Sequence, residues 1–137
     1  MKRAYFENLE HCARPAVLEL NEVTNQLGFD SRGLVPVITQ DVSSKEVLML
    51  AWMNKAALSE TLATGYVTYW SRSRNQRWVK GETSGHTQEL VSLSIDCDGD
   101  AILCQVNQTG AACHTGRKHC FYLQVDTQRQ IVRVVDS

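Results

Sequence analysis

Residues 34–53 read LVPVITQDVSSKEVLMLAWM, two short apolar runs (34–39 and 47–53) parted by Asp41-Val42-Ser43-Ser44-Lys45. Apolar runs of that length, with Asp and Ser between them, predict two strands around a turn. Immediately after them, Asn54 is placed to cap a helix over 55–64, and Gly65 to close it. Upstream, Val17, Leu18, Leu20, Val23 and Leu27 recur mostly three or four apart between Pro15 and Gly28, which predicts a helix over 15–27. Downstream, the texture turns β-branched and aromatic, predicting strands over 66–71, 78–80, 89–95, 101–106, 121–125 and 131–135. The expected class is α+β: a β-rich single domain of short, mostly antiparallel strands with a few helices.

A chain of 137 residues with 43% apolar side chains can bury a core without disulfides. Its 14 Lys+Arg against 15 Asp+Glu leave a net charge of −1, which removes the bulk attraction used to hold long nucleic acids or anionic membranes. Five cysteines, an odd number, follow a charged start, MKRAYFENLEH, that lacks the apolar core of a secretion signal. The expected compartment is the reducing cytoplasm. The longest strongly apolar run, 47–53, is far short of the ~20 residues of a membrane helix.

Chemistry concentrates in the loops between the expected strands. Asp96-Cys97-Asp98-Gly99-Asp100 precedes one strand, and Cys113-His114-Thr115-Gly116-Arg117-Lys118-His119-Cys120 follows it. Three thiolates that leave a fourth position open are a catalytic zinc arrangement. Against this, the chain has no C-x-x-C pair, and free cysteines commonly act as small buried hydrophobes. That second reading suits Cys12 and Cys104, whereas Cys97, Cys113 and Cys120 have polar neighbours. Asp96, Asp98 and Asp100 alternate, so in extended backbone their carboxylates share a side and can take a hard cation such as Mg²⁺. A solvated Asp98-Gly99 hairpin turn is the alternative. A calcium loop is excluded by Ala101 and Asn107 where Gly and Glu are needed.

Trp70-Ser71-Arg72-Ser73-Arg74 and Glu82-Thr83-Ser84-Gly85-His86 carry the donors that suit phosphate, though a basic edge strand and an ordinary turn explain each one taken singly. His86 and His114 are the candidate proton carriers. Tyr69, Trp70 and Trp78 either stack on a base or belong to the core.

Together, VLMLAWMN (47–54), YWSRSR (69–74), KGETSGH (80–86), DCDGDA (96–101), ACHTG (112–116) and CFY (120–122) resemble the phosphoribosyl-AMP cyclohydrolase family of histidine biosynthesis, over about 33–122. The resemblance implies zinc on Cys97, Cys113 and Cys120, and magnesium on Asp96, Asp98 and Asp100. It further implies an intertwined homodimer in which Cys97 faces the other two cysteines from the partner chain. The implied reaction is hydrolytic opening of the adenine ring between N1 and C6. His114 first and His86 second would handle protons, while Trp70, Arg72, Ser73, Arg74, Thr83 and Ser84 hold the nucleotide. His119 and Ala111 depart from the family pattern, where Ser and Pro are common. Residues 1–30 are expected to form an N-terminal helical extension and 123–137 a tail, too short for the fused pyrophosphohydrolase domain of many relatives.

Two rivals remain at this point. A zinc deaminase attacks the same carbon, but its H-x-E…P-C-x-x-C signature is missing. A single-strand-binding module would use Trp70, Arg72, Arg74, Arg77 and Trp78, against a net charge near zero.

Overall fold

A computed structural model describes residues 4–14 and 16–136. The hairpin expected over 34–53 forms as β1 (Val35–Asp41) and β2 (Val47–Met53), with Val37 opposite Ala51 and Val35 opposite Met53. Asp41 closes the turn, its carboxylate accepting the backbone N–H groups of Ser43 (3.1 Å) and Ser44 (2.9 Å). Helix α3 (Lys55–Thr64) follows; Asn54 Oδ1 accepts the N–H of Ala57 at 2.8 Å, and Gly65 ends the helix with φ +80°.

Two shorter helices precede the sheet, α1 (Ala4–Leu9) and α2 (Leu20–Asn25). The helix expected over 15–27 is thus helical only in its second half, and Pro15 lies outside the described residues. Val17 is 95% exposed, so the apolar spacing there has no surface to pack on within the chain, and a short helix gains little stability without one. The Glu19 carboxylate instead starts the helix by accepting the N–H of Glu22.

The remaining strands are β3 (Thr68–Ser71), β4 (Gln76–Val79), β5 (Gln88–Ile95), β6 (Ile102–Gln108), β7 (Leu123–Asp126) and β8 (Ile131–Val134). The main sheet runs β2-β1-β6-β5, while β3–β4 and β7–β8 are separate two-stranded ribbons. All pairings are antiparallel except β1 with β6, which run parallel with Val37 opposite Ile102. Val35, Val37, Met53, Leu58, Val67, Tyr69, Ile102, Cys104 and Val106 fill the core between sheet, α3 and β3. The architecture is α+β, a small single domain.

The parallel β1/β6 pairing orients everything that follows. One end of the sheet carries the β5–β6 turn with Asp96–Asp100; the other carries the segment after Gln108, with Cys113 and Cys120.

Candidate active site

Cys113 sits in a tight turn whose backbone is closed twice, by Ala112 N–H to Lys118 O (3.2 Å) and Cys113 N–H to Arg117 O (3.1 Å). Cys120 is fastened to the sheet by its own N–H, which donates to Leu48 O at 2.7 Å at the start of β2. These bonds bring the two sulfurs into hydrogen-bonding contact. Burial alone pushes the Cys113 thiol up, but the Thr115 hydroxyl (3.1 Å), the Thr115 N–H, Cys120 and the Arg117 charge outweigh it and leave Cys113 below the ordinary thiol value. Cys120 goes the other way, pushed up to about 11 by withdrawal of its sulfur from water and next by Cys113. The two neighbouring thiols are therefore shifted in opposite directions.

Cys97 does not join them. It is exposed in the β5–β6 turn, while Cys113 follows β6, whose seven residues span about 20 Å. Cys104, mid-β6, is fully buried, and burial pushes its thiol up to about 12, so it is the core residue expected.

Among the described residues, the one group of three metal-competent side chains with ligand atoms within 4.8 Å of one another is Asp96, Asp98 and Asp100. Asp96 Oδ1 orders this turn by accepting the N–H groups of Asp100 (3.0 Å) and Ala101 (3.2 Å). Gly28 N–H donates to Gly99 O at 2.7 Å, and the ring of Phe6 in α1 lies where a Gly99 side chain would stand. The N-terminal helix thus clamps the acidic turn, a role that nothing in residues 1–30 announces.

The loop candidates divide between the same two ends. Arg72, at the tip of the β3–β4 ribbon, lies 4.5 Å from the centroid of the Trp52 ring, at the Val35–Met53 end of the hairpin, and its carbonyl accepts from Arg32. Arg74 and Ser73 are exposed beside it, and Trp70 is half-buried. Thr83, Ser84 and His86 belong to the loop after β4, at the cysteine end. His86 packs its ring on Gly110, where a Cβ would stand 2.5 Å from Cδ2. His114 is exposed, next to Cys113.

Tyr69 is core, fully buried, and Trp78 leans on it with ring centroids 5.3 Å apart. Arg77 is held by Glu60 through two bonds of 2.6 and 2.8 Å. With Arg77 paired and Arg72 over Trp52, the basic aromatic strand surface of the binding-module rival is largely committed within the chain. His119 is 9% exposed, and its Nδ1 accepts the N–H of Phe121 at 3.2 Å, which leaves only Nε2 for any other partner. Lys80, buried beside the two cysteines, is a further residue of this end; directly after β4, its sequence position resembles that of any solvated lysine at a strand end.

The family model described as phosphoribosyl-AMP cyclohydrolase matches residues 49–122, more than half of the chain. The chain belongs to that family. Curated phosphoribosyl-AMP cyclohydrolases agree over longer stretches. The protein of Hydrogenovibrio crunogenus is 55% identical over 93% of this chain and 87% of its own length. That of Roseobacter denitrificans is 63% identical over 73% and 78%, and that of Corynebacterium jeikeium 55% over 78% and 85%. The family is one of enzymes, and the matched segment contains both the acidic turn and the cysteine pair. No helix among the described residues is long and apolar enough to cross a membrane.

Proposed function

We propose that this chain hydrolyses phosphoribosyl-AMP, opening the adenine ring between N1 and C6 with zinc, as a step of histidine biosynthesis in the cytoplasm. The observation that carries this reading is the opposed pair Cys113 and Cys120, built by backbone bonds inside a segment that matches the family. The donors suit zinc: thiolates are preferred ligands, and the Thr115 hydroxyl donates to the Cys113 sulfur at 3.1 Å. Cys97 is the third ligand, supplied by a second copy, because β6 holds it about 20 Å from the pair in its own chain. The β7–β8 ribbon supports a homodimer. Leu123, Val125, Ile131, Val132 and Val134 are all at least 42% exposed, a patch that a soluble chain covers by association.

When bound, zinc supplies a nucleophile at neutral pH by lowering the pKa of water from roughly 15.7 toward about 7. The chain's own residues bind, orient and move protons. His114, exposed beside Cys113, delivers the proton that N1 takes as the C6–N1 bond breaks, with His86 second in line. Arg72, Ser73, Arg74, Thr83 and Ser84 hold phosphate and ribose groups, and Trp70 offers a face to the base. The carboxylates of Asp96, Asp98 and Asp100 would hold an oxygen-liganded Mg²⁺, whose charge would favour a substrate phosphate there. Pairing two copies brings each copy's acidic turn, through Cys97, to the other copy's cysteine pair.

The test is a spectrophotometric assay with phosphoribosyl-AMP, run before and after chelation, with metal analysis of the same samples. Ring opening that chelation abolishes and zinc restores supports the reading. Undiminished turnover in metal-free protein contradicts the zinc chemistry, and absence of ring opening in zinc-loaded protein contradicts the activity.

A further inference from the structure

Lys80 is 8% exposed, in the residue that follows β4. Its ammonium donates to Ala112 O at 2.5 Å and stands 5.3 Å from the centroid of the Trp78 ring. Among the described residues it has no carboxylate partner. One neutral carbonyl and one ring face do not offset the removal of an ammonium from water, so a lysine so placed calls for an anion. The anion-forming groups that face it are the sulfurs of Cys120 and Cys113, whose negative charge opposes the downward push of burial on the lysine. The carbonyl it holds belongs to the residue before Cys113.

The other cation acting on Cys113 is committed elsewhere. Arg117 lies 4.0 Å from the centroid of Tyr122, donates to Val135 O at 3.0 Å and approaches Asp136 at 3.7 Å.

We infer that Lys80 is a positioning residue of the metal centre: its ammonium compensates the charge of the Cys113–Cys120 thiolates, and its bond to Ala112 fixes the turn that carries Cys113. The inference rests on the zinc reading above and deepens it. Three thiolates overcompensate a divalent ion and blunt its Lewis acidity; a fixed ammonium beside two of them returns part of it.

The experiment compares full-length wild type with Lys80→Arg, Lys80→Gln and Lys80→Met. Three quantities are read: the rate of zinc release to a chromogenic chelator, the energy of the sulfur-to-metal charge-transfer band of the Co²⁺-loaded protein, and kcat against KM. Gln and Met are expected to release zinc roughly 10- to 100-fold faster, the usual range for groups that support metal ligands. They are also expected to move the Co²⁺ band to lower energy and to lower kcat more than they raise KM. Arg, which keeps the charge, is expected to stay near wild type in release rate and band. Gln matching wild type while Met alone fails would reduce Lys80 to a tether and overturn the charge role. Wild-type release and spectra in both neutral variants would overturn the whole inference. Should Met fail to fold by circular dichroism, Gln, which retains a donor for Ala112 O, decides between the same outcomes. Wild type that takes up neither zinc nor Co²⁺ would instead sink the zinc reading, which keeps the two failures distinct.

Discussion

The phenol of Tyr69 donates to the Gln88 carboxamide oxygen at 2.6 Å, and both side chains are fully buried. The same phenol oxygen is 2.6 Å from Thr39 Oγ1, and Gln88 Nε2 donates onward to Gln108 Oε1 at 2.8 Å. Gln108 in turn reaches the carbonyls of Thr109 and His86. A line of bonds thus joins β1, β3, β5 and β6 to the loop that bears His86. In Gln88→Leu, the Tyr69 hydroxyl keeps only Thr39, and the Gln108 carboxamide oxygen loses the donor that Gln88 supplies. A loss of about 1–3 kcal/mol is expected, read by urea denaturation. Wild-type stability would show that the network contributes nothing.

Phe6 covers Gly99 and belongs to the core cluster. Truncating it in Phe6→Ala opens a cavity under the acidic turn, with an expected cost of about 3 kcal/mol and a lower melting temperature. An unchanged melting temperature would mean that α1 does not hold the turn.

How far the residues announced this fold depends on how local each signal is. The β1–β2 hairpin and α3 were readable because their information sits in place: the Asp41 turn, the Asn54 cap and the Gly65 stop act on backbone groups a few residues away. The parallel pairing of β1 with β6 joins strands some 65 positions apart, and no short pattern encodes it. The helix over 15–27 failed for a related reason: spacing shows an apolar stripe, not whether anything receives it, and Val17 is almost wholly exposed. The candidate site residues were visible as types and motifs. Their separation onto opposite ends of the sheet was not, because it follows from the direction of β6. Lys80 stayed hidden because its burial is decided by Ala112 and by the two cysteines, more than thirty positions away.

Asp41 supplies the pH dependence. The Ser44 N–H first, with further help from the Ser44 side chain and the N–H groups of Gln108 and Ser43, holds its carboxyl below the usual range against the opposing effect of burial. A lowered carboxyl stabilises the fold above its unfolded pKa of about 3.9, and that stability is lost as pH falls through the folded value. The advantage of wild type over Asp41→Asn in urea midpoints is therefore expected to shrink between pH 5 and pH 3, both values being about one unit either side of the unfolded pKa. A gap that is constant or widens on acidification would contradict the assignment.

Replacing Cys113 with Ser is expected to remove bound zinc and ring opening together, while His114→Ala is expected to keep its zinc and lose most of its kcat. Metal analysis beside steady-state kinetics checks both. Full turnover in zinc-free Cys113→Ser, or near-normal kcat in His114→Ala, would move the chemistry to other groups.

Mixing two inactive chains, Cys97→Ser and Cys113→Ser, asks whether one centre draws on two copies. In a mixed dimer one centre receives both defects and the other receives neither. Random exchange of subunits then makes about one centre in four intact. Recovery of about a quarter of wild-type zinc and turnover after co-refolding is the expected result. Mixed dimers that are demonstrably formed, yet as inactive and zinc-poor as either parent, would contradict a thiolate centre assembled across the pair.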